Sequence, residues 1–180
     1  MNNMNLAEFK NTIKEVAEKT RIDFPNLYLY YAGITPAEGE SSRYFCTPTN
    51  TQIFATTEGD GVHYSLLELS PDIQPVIMTV PINYGDSMEA YNWVIAENLE
   101  EFLSLGYYNG WFPIEQLCYD NNAIINFYAQ EDLDEYYQNS ADIQFVKKLR
   151  TQLGYSHVPL NNKRLLELKE KYFGLLTFEE

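Results

Sequence analysis

The chain has 180 residues, of which 45% are hydrophobic and 15% aromatic, and it includes fifteen tyrosines. This length can bury one sizeable core, so we expect a single domain over residues 1–180. The composition is too apolar for a disordered chain and too interrupted by polar residues for a membrane span, and a formal net charge of -14 opposes binding to nucleic acid.

The negative charge is concentrated in the middle of the chain. Between Arg43 and Lys147 there are sixteen Asp and Glu and no Lys or Arg, so this region carries a net -16, whereas the two flanks together carry about +2. Such a field attracts a basic protein partner and accelerates the encounter, an effect that salt weakens. The alternative is that these carboxylates only solvate the surface of an ordinary cytosolic protein.

The first residues contain no basic cluster followed by an apolar run, which favours a cytoplasmic protein without a signal peptide. Cys46 and Cys118 lack the spacing of a metal knuckle and are predicted to be free, buried thiols. No cofactor is predicted, because neither a phosphate-binding loop nor a dinucleotide fingerprint occurs. No metal site is predicted either, since Asp132, Asp134 and Glu135 lack the glycine and the distal glutamate of a calcium loop.

The N-terminal third predicts one helix, one strand and a long loop. Leu6, Phe9, Ile13, Val16 and Ala17 follow helical spacing and indicate an amphipathic helix of about four turns, which ends before Pro25. The aromatic run 27–31 favours an edge strand. Residues 33–50 form a long loop rich in Gly, Pro, Ser, Thr and Glu, in which 43–47 is a candidate short strand.

A hairpin is predicted at the centre of the chain. Two β-prone runs, 53–57 and 62–67, flank Glu58-Gly59-Asp60-Gly61, and Asp-Gly is a strong turn signal because both residues tolerate positive φ. Alternation along the second strand places Val62, Tyr64 and Leu66 on one face and His63, Ser65 and Leu67 on the other. That strand can therefore bury one side and present a mixed surface on the other.

The segments that follow predict one buried strand and a series of helices. The apolar run 75–81 indicates a strand buried on both faces. A loop over 82–87 leads to Ser87 as N-cap and to a helix over 88–105 that Gly106 ends. The run 111–119 predicts a short helix with Pro113 in its first turn, anchored to the core by Trp111 and Phe112.

The last third predicts mostly helix. Residues 123–128 fit strand or helix equally, and 131–137 form an acidic stretch. Helices are predicted over 142–153 and 159–173, the second with a buried stripe of Leu165, Leu166, Leu168, Tyr172 and Phe173. We expect residues 107–180 to form a helical C-terminal extension packed on the domain.

A resemblance to a known family rests on three short segments. The hairpin sequence over 53–67, then Pro75-Val76, then the helix sequence 98–103 with its Phe-Leu pair, is similar to the pattern of the SUKH superfamily, the Smi/Knr-like proteins. The resemblance implies a single α+β domain with a central, largely antiparallel sheet and flanking helices. It implies no catalytic residues, and the matching positions Phe54, Gly59, Gly61 and Phe102 are ones that packing and turn geometry explain.

The same resemblance implies a role. Many bacterial SUKH proteins are immunity proteins that neutralise toxins, often nucleases, and others are regulatory interaction modules. The leading hypothesis is therefore a non-enzymatic cytosolic module that binds a basic protein, such as a nuclease toxin, through an acidic surface. That surface is predicted at Glu58, Asp60, His63, Asp86 and Glu89.

Two alternatives remain open from the sequence. A small hydrolase could use His63 as general base with Asp60 orienting its imidazole, and a regulatory subunit could act with no toxin involved. The clustered tyrosines at 107, 108, 119, 128, 136 and 137 suit either a protein interface or the rim of the core. The partner and the oligomeric state are left open.

Overall fold

The computed structural model describes residues 4–37, 43–70, 73–119, 122, 125 and 139–179. The chain forms a single α+β domain around a five-stranded antiparallel sheet in the order β1-β2-β3-β4-β5, as the sequence predicts. The strands are β1 (Thr35–Pro36), β2 (Thr51–Thr56), β3 (His63–Leu67), β4 (Val76–Thr79) and β5 (Asn92–Ala96). The described α-helices are α1 (Leu6–Asp23), α2 (Leu29–Ala32), α3 (Leu99–Leu105), α4 (Ala141–Leu153) and α5 (Asn162–Tyr172).

The principal core lies between the inner face of the sheet and the helices. Phe9 of α1, Phe54 of β2 and Phe102 of α3 are fully buried there, and their rings meet edge to face, with centroids 5.4 Å apart for Phe9–Phe54 and 5.3 Å for Phe54–Phe102. Phe145 and Leu149 of α4 belong to the same core. The C-terminal region thus contributes side chains to the principal core.

A second, smaller core lies on the outer face of the sheet beneath α5. Leu67, Ile77 and Val94 of the sheet pack there against Leu168, Tyr172 and Leu176. Of the stripe predicted for this helix, Leu168 and Tyr172 are buried, whereas Leu166 is 55% exposed. Helix α5 therefore packs on the outer face through fewer buried residues than the sequence predicts.

Two predicted elements are wrong. Residues 88–105 do not form one helix, because they contain a 3₁₀ turn (Met88–Ala90), strand β5 and helix α3, which starts after its N-cap Asn98. The edge strand predicted over 27–31 is instead the single helical turn α2, since the exposed edge of β2 pairs with Thr35–Pro36.

The predicted hairpin and the central strands are confirmed. The hairpin has Asp60 at φ 51° and Gly61 at φ 75°, and the central strands occur where expected. A third prediction is wrong, because the candidate strand at 43–47 is a turn, and the short helix after Trp111 is a 3₁₀ segment (Phe112–Cys118). Both cysteines are free as predicted, but only Cys46 is buried, whereas Cys118 is partly exposed. The segment predicted over 123–128, apart from residue 125, and the acidic stretch 131–137 lie outside the described residues.

Within the described part of the chain, no helix is both long and apolar enough to cross a membrane.

Candidate acidic and aromatic interface

Three loops and one 3₁₀ segment meet at one end of the sheet. The hairpin turn 57–62 joins β2 to β3, and the loop 80–91 joins β4 to β5 at the same end, because His63 pairs with Thr79 and Thr79 with Asn92. Loop 43–47 and the segment Phe112–Cys118 complete this end, as the contacts below show. All of the predicted site residues lie here.

Loop 43–47 lies on the outer side of the hairpin. The Tyr44 ring stacks on the imidazole of His63 with centroids 5.9 Å apart, and Gly61 leaves the space that this ring fills, since a Cβ at Gly61 would lie 2.5 Å from the Tyr44 ring. Phe45 meets Tyr91 edge to face at 5.4 Å, and Tyr91 donates a hydrogen bond to the carbonyl of Gly85. These contacts connect the hairpin turn to the 80–91 loop.

The segment Phe112–Cys118 lies on the other side of the same turn. The Phe112 ring is 3.5 Å from the position of a Cβ at Gly59. The sequence predicts Phe112 as a core anchor, whereas the structure leaves it 38% exposed and buries Trp111. The backbone N–H of Trp111 donates to the carbonyl of Ala32, so the segment is fixed to α2.

Carboxylates and exposed aromatic rings occur together at this end of the molecule. We define the acidic–aromatic surface by the residues Tyr44, Phe45, Glu58, Asp60, Phe112, Glu115 and Tyr119. Tyr44, Phe45, Phe112 and Tyr119 are all exposed, Phe45 to 65% and Tyr119 to 59%. Aromatic residues are enriched at protein interfaces, and tyrosine is among the residues that often contribute most of the binding energy.

Glu115 and Asp60 are like-charged neighbours within this surface. Partial burial raises the pKa of Glu115, and the charge of Asp60 raises it further, against a hydrogen bond with Gln116 that lowers it. Two carboxylates within electrostatic range repel each other, so a cationic group close to both would be stabilised. Sequence reasoning missed Glu115, which only the packing of Phe112–Cys118 against the turn brings to the site.

Glu58 and Asp60 occupy the turn itself. Both are exposed and both have positive φ, 60° for Glu58 and 51° for Asp60. The carboxylate of Glu58 accepts a hydrogen bond of 3.3 Å from the Thr56 hydroxyl. The turn thus presents two acidic side chains to solvent, as the sequence predicts for these two positions.

Asp86 and Glu89 lie on the 80–91 loop. Asp86 is exposed, whereas Glu89 forms an ion pair with Lys169 of α5. Glu97 and Glu101 are likewise engaged by α5, with Arg164 Nε 2.6 Å from Glu101 Oε1 and Arg164 Nη2 3.2 Å from Glu97 Oε2. Part of the acidic charge counted from the sequence is therefore already paired within the molecule.

His63 differs most from its prediction. The sequence places it on a surface open to a partner or substrate, but the structure buries it completely under loop 43–47. Both ring nitrogens have partners, Nδ1 with the Gly61 carbonyl at 2.8 Å and Nε2 with Thr47 Oγ1 at 3.1 Å. His63 therefore cannot touch a partner directly, and its imidazole is not presented to a substrate as a general base would be.

The surroundings of His63 form a buried polar layer on the outer face of the sheet. Thr79 donates to Asn92 Oδ1 at 2.8 Å, and Asn92 Nδ2 donates to the carbonyl of Cys46 at 3.0 Å. Burial raises the pKa of the Cys46 thiol to about 11, so this thiol is not activated as a nucleophile. The layer connects loop 43–47 to the sheet.

In the described ranges, no cluster of three His, Cys, Asp or Glu side chains is arranged to hold a metal ion. The acidic triplet Asp132, Asp134 and Glu135 lies outside those ranges.

No protein-family model, curated protein or solved structure matches the chain. The fold class therefore rests on the structure alone: the protein is an α+β domain with acidic and aromatic residues at one end of its sheet.

Proposed function

We propose that the protein is a cytoplasmic, non-enzymatic protein-binding module that recognises a basic protein partner through the acidic–aromatic surface. The observation that carries the proposal is the packing of Phe112–Cys118 against the hairpin turn, which brings Glu115 within electrostatic range of Asp60 and leaves the rings of Phe112 and Tyr119 exposed nearby. A Lys or Arg side chain of the partner would relieve the repulsion between the carboxylates and contact the rings at the same time.

The biological role that we propose is neutralisation of a toxin. It is supported by the resemblance of the hairpin and helix α3 to SUKH immunity proteins and by the acidic charge, which suits a blocker of a nucleic-acid enzyme with a basic active site. Regulation of a basic protein that is not a toxin would use the same surface. The identity of the bound partner separates these two roles.

The first experiment identifies the partner. The tagged protein is used for affinity capture from its own cells at low and at moderate salt, and the retained proteins are identified. A basic protein that is retained at low salt and lost as salt rises is the expected result, because the encounter is electrostatic. Retention that does not change with salt would contradict an acidic recognition surface.

The second experiment places the binding site. Asp60→Asn with Glu115→Gln removes two charges from the surface, and asparagine tolerates the positive φ of position 60. We expect affinity for the captured partner to fall by about tenfold to a hundredfold, which corresponds to about 1.4 kcal/mol for each tenfold.

A matched control is Glu68→Gln with Glu170→Gln, which removes the same charge from two exposed carboxylates outside the surface. Equal loss of affinity in both double variants would mean that net charge alone drives binding. Unchanged affinity in Asp60→Asn with Glu115→Gln would place the site elsewhere.

A further inference from the structure

His63 connects the two loops that carry the outer part of the acidic–aromatic surface. A carbonyl oxygen can only accept, so the contact with Gly61 requires the hydrogen on Nδ1, and Nε2 then accepts from the hydroxyl of Thr47. Thr47 Oγ1 in turn accepts a hydrogen bond of 2.8 Å from the backbone N–H of Tyr44. The neutral imidazole therefore holds the Tyr44 loop against the hairpin turn.

This arrangement fits the neutral ring and not the protonated one. A proton on Nε2 would point at Thr47 Oγ1, so the Thr47 hydroxyl hydrogen would have to leave the bond that it makes to the ring. The imidazolium charge would also be shut away from water, because His63 has no accessible surface. Burial lowers the pKa of His63, the hydrogen bond with Gly61 raises it, and the charge of Arg43 lowers it again.

Among the residues that the structure describes, the groups that face His63 do not offer it a counter-ion. Loop 43–47 contributes the Tyr44 ring and the Arg43 guanidinium, which donates to the carbonyl oxygens of Pro48 and Thr51. Strands β4 and β5 contribute the uncharged side chains of Thr79 and Asn92. On the β2 side, Thr56 is paired with His63, and its hydroxyl donates to the carboxylate of Glu58, which is exposed to solvent.

We infer that His63 is a pH-sensitive latch: when it takes up a proton, loop 43–47 detaches from the hairpin turn, and the acidic–aromatic surface is complete only while His63 is neutral. The effect on partner binding rests on the proposed function, whereas the detachment of the loop does not. His63 is thus a positioning residue for Tyr44 and Phe45. It is buried and does not itself contact the partner.

Hydrogen–deuterium exchange of the full chain tests the latch without any partner. The reporters are the amides of Tyr44 and Thr47, which donate to Thr47 Oγ1 and to the Tyr44 carbonyl within the loop. If only the detached form binds the proton with an ordinary pKa near 6.5, the opening equilibrium rises up to about tenfold between about pH 7.5 and about pH 5.5. Amides of β3 and β4 should keep their protection, which excludes global unfolding.

Three variants assign the effect. In His63→Gln the pH dependence at Tyr44 and Thr47 should disappear, while His157→Gln, which changes the only other histidine of the chain, should behave as the wild type. Thr47→Val leaves the histidine in place but removes its hydroxyl partner, so exchange should rise already at neutral pH at the amide of residue 47, whose acceptor, the Tyr44 carbonyl, the variant keeps. Thr47→Ser should restore protection.

Three outcomes would overturn the inference. They are protection at Tyr44 and Thr47 that does not change between the two pH values after correction for intrinsic exchange, a pH effect abolished by His157→Gln, and full protection of the amide of residue 47 in Thr47→Val. If His63→Gln fails to fold, the comparison of Thr47→Val with Thr47→Ser still decides. A failed latch would leave the charge-removal test of the proposed function unaffected.

Discussion

Trp111 decides where one half of the acidic–aromatic surface lies. Its indole Nε1 donates to the carbonyl of Phe102 at 2.9 Å, and its own carbonyl accepts from the Tyr64 hydroxyl at 2.9 Å. The side chain is completely buried, so the 3₁₀ segment that follows starts from a fixed point. Phe112, Glu115 and Tyr119 depend on that point for their position beside the hairpin turn.

Gly106 makes room for this tryptophan, which gives a prediction at a single residue. A Cβ at position 106 would lie 2.2 Å from the Trp111 ring, which is fully buried and hydrogen-bonded through its Nε1. We expect Gly106→Ala to lower the free energy of unfolding by about 1–3 kcal/mol, as overpacking of a core does. Chemical denaturation measures this change.

Gly174→Ala is the matched control, because nothing lies within 4 Å of the added Cβ and φ is not positive there. Its stability should stay within about 0.5 kcal/mol of the wild type. Equal stabilities of the two variants would contradict the close approach of Gly106 to Trp111.

Helix α5 is the element whose docking depends most on charge. Besides its apolar contacts, it surrounds Glu97 with donors, namely Lys171, the Tyr172 hydroxyl at 2.6 Å and Arg164. The hydrogen bonds from Lys171 and Tyr172 are the main reason that the pKa of Glu97 is lowered to about 2. The ionised carboxylate is therefore part of the contact between α5 and the sheet.

The pH dependence of α5 docking follows from the direction of this shift. The folded pKa of Glu97 is about 2 and its ordinary value is 4.5, so the stabilisation is complete above about pH 4.5 and is lost as pH falls towards 2. We expect amide protection in α5 to decrease over that range. Glu97→Gln should reduce protection at neutral pH and make the decrease on acidification smaller.

Hydrogen exchange at several pH values measures this, with Glu170→Gln as the control because Glu170 is an exposed carboxylate on the same helix. If Glu97→Gln and Glu170→Gln showed the same pH profile as the wild type, the ion cluster around Glu97 would not be what holds α5.

Charge is distributed unevenly over the whole molecule, with an acidic middle region and basic residues in the flanks. Helix α5 carries four basic and two acidic residues and lies against Glu89, Glu97 and Glu101, so the C-terminal flank neutralises part of the acidic middle region. The carboxylates of Glu58, Asp60, Asp86 and Glu115 are not among those that α5 engages. The charge offered to a partner is thus smaller and more localised than the -16 counted along the sequence.

Salt should stabilise the fold as a whole. Repulsion within a chain of net charge -14 is screened as ionic strength rises, whereas the exposed ion pairs that salt weakens contribute only about 0–1 kcal/mol each. We expect Tm to increase between about 10 mM and about 150 mM sodium chloride. A decrease of Tm in calorimetry would mean that the ion pairs of α5 outweigh the net repulsion.

Local sequence signals were sufficient where a short motif or spacing is typical of a single kind of structure. The Asp60-Gly61 pair predicted the hairpin turn through positive φ, the apolar run 75–81 predicted a strand buried on both faces, and the helical spacing over 6–17 predicted α1. The start of α3 within 88–105 could have been predicted locally, because Asn98 followed by Glu101 is a typical helix start. The Asn98 side chain accepts a hydrogen bond from the Glu101 amide.

Tertiary contacts decided what local signals could not. Tyr91, Val94 and Ile95 have helical spacing, yet 92–96 is a strand because the open edge of β4 offers backbone partners. His63 alternates onto the outer face as predicted, but loop 43–47 buries that face, and Glu115 joins Asp60 from 55 positions away. The sequence by itself determined the α+β class, the turn and the acidic middle region, since these depend on composition and near neighbours. The tertiary structure decided which carboxylates remain available and which histidine is hidden, because both depend on contacts between segments distant in the chain.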